Sequence, residues 1–238
     1  MFPLWMLMTR FAAADSMVLM ALTSPTVQVR RIAISSAYQN NVAPLFQASQ
    51  ISGTQHALMG WWAPHRDVTV FAALPVSFGH LGDAALGVRA QAWSSDRLST
   101  GLGWWSWVPM ATGDRGMPSG DELGLAMVGH VDASFRWLEV SGLAGLEIRG
   151  DPLRPASQDD LPVTWLHMLH RRPSVQLHTR VGGRWATARN PARLEAISGV
   201  ERMISNQWSV GGEASAGLTP AAPTWGGRIW VGWRPASG

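Results

Sequence analysis

The chain has no cysteine and no lysine among its 238 residues, and a single tyrosine. Without cysteine there is no disulfide framework, no thiolate zinc site and no thiol nucleophile. Without lysine there is no P-loop ammonium and no Schiff-base chemistry. Charge is also scarce, at 15% of residues against the ~25% of an average soluble domain. All 19 basic residues are arginines and the formal net charge is only +3. Only Arg30–Arg31 and Arg171–Arg172 are adjacent basic pairs, so the clustered basic footprint of a nucleic-acid binder is missing and no nucleic-acid partner is expected. Long hydrophobic runs are lacking as well. Residues 1–22 are apolar but broken by Arg10 and Asp15, and no stretch reaches the ~18 residues of a transmembrane helix.

Tryptophan and glycine are plentiful, at 14 and 25 residues. Glycine disfavours helices and aromatics favour strands, so the composition leans towards β structure. Residues 1–25 read either as a signal region of unusual form or as an ordinary N-terminal segment. Residues 26–238 read as one domain.

In that domain apolar and polar residues alternate with period two. Val175, Leu177, Thr179 and Val181 interleave with Gln176, His178, Arg180 and Gly182. Trp208, Val210, Ala214, Ala216 and Leu218 interleave with Ser209, Gly211, Glu213, Ser215 and Gly217. Alternation of this kind marks strands with two unlike faces. The pattern predicts twelve strands, at 27–36, 52–62, 67–77, 83–93, 98–109, 122–134, 137–149, 163–171, 174–186, 192–203, 208–218 and 227–234. Most are longer than the 5–6 residues of an ordinary strand and match the ~9–11 that cross a bilayer at a tilt.

Connections alternate too. Short ones fall at 63–66, 94–97, 135–136, 172–173 and 204–207, and longer ones at 78–82, 110–121, 150–162, 187–191 and 219–226. Short turns at one end and longer loops at the other are the layout of an outer-membrane barrel. The fold class expected is therefore all-β: a single antiparallel up-and-down transmembrane β-barrel of about 12 strands. Closure is required because hydrocarbon cannot satisfy the hydrogen-bonding groups of a free sheet edge. The competing reading is a soluble ligand-binding β-barrel, in which the apolar faces would point inward.

Several segments carry a resemblance. They are Val68–Pro75 (VTVFAALP), Leu86–Ala92, Val108–Arg115 with its P-x-x-T-G-D-R stretch, Gly217–Pro220 and Gly227–Trp233. Together they resemble outer-membrane barrels of the phenol-degradation meta-pathway transporter type, and the barrels at the front of OmpA-like proteins. The resemblance covers about residues 52–234. It implies a bacterial outer-membrane location and passage of small solutes, and it carries over no catalytic residue. Barrels of this kind often finish on an aromatic residue, whereas here Arg234–Gly238 follow Trp233.

If the apolar faces meet lipid, the charged residues of opposite parity face inward. That set is Arg89, His130, Asp132, Glu139, Glu147, Arg149, His178, Arg180, Arg184, Arg193, Glu195, Glu201, Glu213 and Arg228. Its charges balance, so it reads as a salt-bridged filling of the lumen or as a polar pore lining. His130, Asp132 and Ser134 share one face and make an outer-membrane hydrolase the third reading. Residues two apart on one strand seldom give triad geometry, and no enzymatic activity is expected. His167 and His170 lie three apart and point to opposite faces. The loop 110–121 lacks the spacing of a calcium loop. No metal and no cofactor are expected; the expected partners are the lipid bilayer and small solutes. Trp61, Trp62, Trp104, Trp105, Trp107, Trp165, Trp185, Trp208, Trp225, Trp230 and Trp233 fall near strand ends, where interfacial girdles would put them.

Overall fold

The computed structural model describes residues 31–42, 51–77, 80–81, 84–108, 124–149, 159–187 and 191–235. Twelve long strands run in order: β1 (Arg31–Val42), β2 (Ile51–His65), β3 (Val68–Ser77), β4 (Ala84–Ser94), β5 (Leu98–Val108), β6 (Gly124–Ser134), β7 (Leu138–Arg149), β8 (Asp159–Arg171), β9 (Val175–Arg184), β10 (Arg193–Met203), β11 (Trp208–Gly217) and β12 (Trp225–Trp233). A two-residue strand, His80–Leu81, extends the β3 ladder at Val76 and Ser77. Each long strand pairs antiparallel with its sequence neighbours. β1 pairs with both β2 and β12, so the sheet closes on itself and has no free edge. The fold is a closed twelve-strand up-and-down barrel, with no helix among the described residues.

All twelve strands expected from the alternation are present, and the largest boundary shifts fall on β1 and β8. β1 is described from Arg31 and runs past the expected end at 36 through Tyr38, Gln39 and Asn40, which pair with Gly227, Gly226 and Trp225. β8 starts at Asp159 instead of 163, because Asp159 and Asp160 pair with Arg149 and Ile148. In both places ladder hydrogen bonds carry polar residues that alternation alone reads as loop.

The turns at 66–67, 95–97, 135–137, 172–174 and 204–207 lie at one end, with the start of β1 and the finish of β12. The connection at 218–224 lies at the other end, with the finish of β9 and the start of β10. Residues 1–25, the 110–121 loop and the T-G-D-R stretch fall outside the described residues.

The two faces differ sharply. On β9 Leu177 is 50% exposed and Arg180 only 1%. Ile34, Leu58, Leu86, Leu102, Met127, Leu166, Val210 and Ile229 likewise stand exposed on the outer wall. A soluble barrel would put these residues inside, and an exposed apolar surface of this extent marks a wall that meets a membrane or another protein.

The tryptophans require a correction. Trp61, Trp105, Trp107, Trp165 and Trp230 are buried on the inner face and cannot belong to an outer girdle. The exposed ones are Trp62, Trp93, Trp137 and Trp208 towards the short-turn end, and Trp104, Trp185 and Trp225 towards the other. Position near a strand end suits both groups; parity separates them, as Trp61 and Trp62 show on one strand.

Candidate functional site: the inner wall of the barrel

The inner face is unequal around its circumference. From β1 to β5 it is mostly apolar, carrying Ala33, Ala57, Met59, Trp61, Phe71, Ala73, Ala85, Trp105 and Trp107. From β6 to β12 it carries most of the ionisable residues. Arg89, His130, Asp132, Glu139, Glu147, His178, Arg180, Arg184, Arg193, Glu201 and Arg228 are all buried, and Glu195 and Glu213 are partly so. Arg149 ends β7 with its backbone opposite Asp159, and its side chain lies outside the described set.

Four clusters organise these charges. In the first, Arg89 on β4 pairs with Asp132 on β6. The Nδ1 of His130 lies 3.2 Å from Arg89 Nη2 and 3.1 Å from Asp132 Oδ2. Ser99 on β5 donates to the same carboxylate at 3.1 Å. In the second, Arg171 donates to Glu139 at 3.0 Å. In the third, Arg184 on β9 grips Glu147 on β7, with Nε at 3.0 and 3.1 Å from the two carboxylate oxygens. The fourth is centred on Glu213 of β11, which accepts from Arg180. His178 Nε2 stands 3.1 Å away and Arg228 Nη1 3.4 Å away. Arg193 adds a looser contact to Glu195, at 3.7 Å along its own strand.

Three of these clusters skip a strand: Arg89 reaches Asp132 over β5, Arg184 reaches Glu147 over β8, and Arg180 reaches Glu213 over β10. The pairs therefore run along the wall, not across the lumen. In two cases a glycine on the skipped strand makes room. A Cβ on Gly101 would stand 2.6 Å from His130 Nε2, and one on Gly199 would stand 2.6 Å from His178 Nε2. Gly199 pairs with His178 on one side and Glu213 on the other, so it is the gap through which they meet.

The aromatic rings also lie against the wall. Phe71, Trp107 and Trp230 each cover the glycine that faces them on the next strand: Gly87, Gly124 and Gly211. A Cβ at Gly87 would come within 2.1 Å of the Phe71 ring, and one at Gly211 within 2.2 Å of the Trp230 ring. Aromatic cover of strand glycines restores packing that glycine itself cannot supply.

The paper triad does not assemble. His130 and Asp132 do contact each other, but the carboxylate's hydroxyl contacts include Ser99 and Ser141, and His130 Nε2 faces the carbonyl of Ala90 at 3.4 Å. Among the described residues no group of three His, Asp or Glu side chains is arranged for a metal ion. Parity could have found Arg171, which shares the inward phase of Trp165, His167 and Leu169; in the sequence it reads as half of a turn dipeptide. The roles of Gly101 and Gly199 have no sequence signal, because they depend on which strands lie two apart.

No protein-family model matches the chain, and no curated protein matches it. Solved structures share its fold. An outer-membrane channel from Pseudomonas putida F1 superposes with a TM-score of 0.67 at 9% identity, covering 90% of this chain and 98% of that one. The KdgM porin gives 0.65 at 7% identity, covering 87% and 99%. The translocator domain of the autotransporter NalP from Neisseria meningitidis gives 0.53 at 12% identity, covering 88% and 90%. At such identities the likeness is one of fold: this chain has the architecture of bacterial outer-membrane β-barrels.

Proposed function

We propose that the protein sits in a bacterial outer membrane and passes small solutes passively through a narrow, side-chain-lined lumen. The observation that carries this reading is the inversion of faces. An apolar wall faces out, and ionised residues paired along the wall face in. Eight strands leave an interior that side chains fill, while 16–18 leave an aqueous channel. Twelve strands lie between, so the attitude of the inner side chains decides the bore. Charges held against the wall and rings laid over glycines leave more of the axis open than side chains reaching across it would. The motif resemblance supports a place beside the phenol-degradation meta-pathway transporters. On this reading the fourteen inward residues act as lining, with no catalytic role.

Planar-bilayer recording of the refolded barrel tests the proposal. The inner charges are of both signs and largely paired, with no ring of one sign. Small conductance steps with a reversal potential near zero in a salt gradient are therefore expected. Strong anion or cation preference would overturn the paired lining. A silent membrane would leave a structural barrel in place of a channel.

A further inference from the structure

The short-turn end is markedly basic. Arg66, Arg97, Arg136, Arg172 and Arg202 are exposed there, against Asp67 and Asp96. At the opposite end the start of β8 carries Asp159 and Asp160.

Backbone hydrogen bonds hold neighbouring turns on one rim. Ser134 N donates to Arg97 O, Arg171 N to Trp137 O, Met203 N to Ser174 O and Arg234 N to Gln207 O. The arginines are fixed on that rim beside the exposed tryptophans. Arg202 sits one residue from the end of β10, exposed on the outer wall between Val175 and Val210. Trp137 packs edge-on against His170 with ring centroids 4.9 Å apart, and Arg172 donates to that same histidine at 3.2 Å. Aromatic rings of this kind seat at the headgroup level of a bilayer, and an outward arginine at that level extends its head to the phosphates.

We infer that this rim is a binding surface for anionic phospholipid headgroups in the leaflet next to the short turns. The inference rests on the membrane reading above. It commits to lipid over an acidic protein because Arg202 and the Trp137–His170–Arg172 group lie on the outer wall, at the level of the aromatic girdle. Each basic group near an anionic surface strengthens binding by about five-fold.

The test uses the barrel's own tryptophans, of which four exposed ones stand near this rim. The full chain is refolded into phosphatidylcholine vesicles doped with brominated phosphatidylcholine or brominated phosphatidylglycerol, and the quenching is compared. The expected result is a preference for the glycerol lipid of about five-fold or more, falling with added salt. The R97Q/R136Q/R172Q/R202Q variant, shown to be folded by its heat-modifiable mobility, should lose it. R115Q/R154Q/R189Q, which leaves the rim arginines intact, should keep it. A preference that survives the rim substitutions, or no preference in the parent chain, overturns the inference. Arginine-dependent capture of polyglutamate without lipid preference would assign the rim to an acidic protein instead, and overturns it too. Absence of quenching by either lipid would mean the chain does not enter bilayers, and would sink the membrane reading itself.

Discussion

At the scale of single residues, depth matters as much as face. Leu177 and Val210 are both exposed and each stands two residues from the short-turn end of its strand, whereas Val181 lies deeper. An arginine on the lipid face costs about 2–4 kcal/mol at the midplane and about 0–1 near an interface. Val181→Arg should therefore reduce the folded, heat-modifiable fraction strongly, Leu177→Arg and Val210→Arg less, and Gln176→Arg, of inward parity, least. Equal folded fractions for all four would contradict the facing of β9. The glycines make a second contrast. Gly101→Ala brings a Cβ against Ala90 O and His130, while Gly142 has nothing within 4 Å. Overpacking costs about 1–3 kcal/mol. The urea midpoint of Gly101→Ala in micelles should drop accordingly, and that of Gly142→Ala should stay within about 0.5 kcal/mol of the parent.

At the scale of elements, the unit of stability is three strands. Glu213 on β11 stands between Arg180 on β9 and Arg228 on β12. Removing the carboxylate leaves two buried guanidinium groups facing each other, and breaking a buried pair costs about 3–5 kcal/mol. Glu213→Leu should lower the unfolding midpoint by that order. Glu213→Leu with Arg180→Met should recover much of the loss, because replacing both charges removes the repulsion. A double variant no better than the single would show that the pair does not act as a unit.

Much of this was legible in the sequence. Period two separated Arg180 from Val181; position near a strand end put Trp61 and Trp62 together in one girdle, although their parity differs. Alternation failed at Tyr38–Asn40 and Asp159–Asp160, where the ladder continues through polar residues. It could not say which inward charges meet. Arg184 and Glu147 are 37 residues apart in sequence and touch because β7 and β9 flank β8, a fact of register that parity does not contain.

At the scale of the whole molecule, closure is the decisive event. The seam between β1 and β12 runs from Ile32 opposite Trp233 to Asn40 opposite Trp225. A chain ending before Trp225 would leave β1 and β11 with open edges, which hydrocarbon does not tolerate. Such a truncation should give no heat-modifiable species in vesicles, while loss of the residues after Pro235 should leave that species intact.

The glycines beneath the strand-skipping pairs bear on how the barrel avoids assembling wrongly. A slip of one residue turns every side chain to the wrong face and is heavily penalised. A slip of two keeps inside in and outside out, so hydrophobic patterning is blind to it. In β10 such a slip would put Ile197 or Glu201 where Gly199 now stands between His178 and Glu213. The gap would then be stoppered and the contact through it severed. A residue with no side chain thereby proofreads an assembly error that oil and water cannot detect.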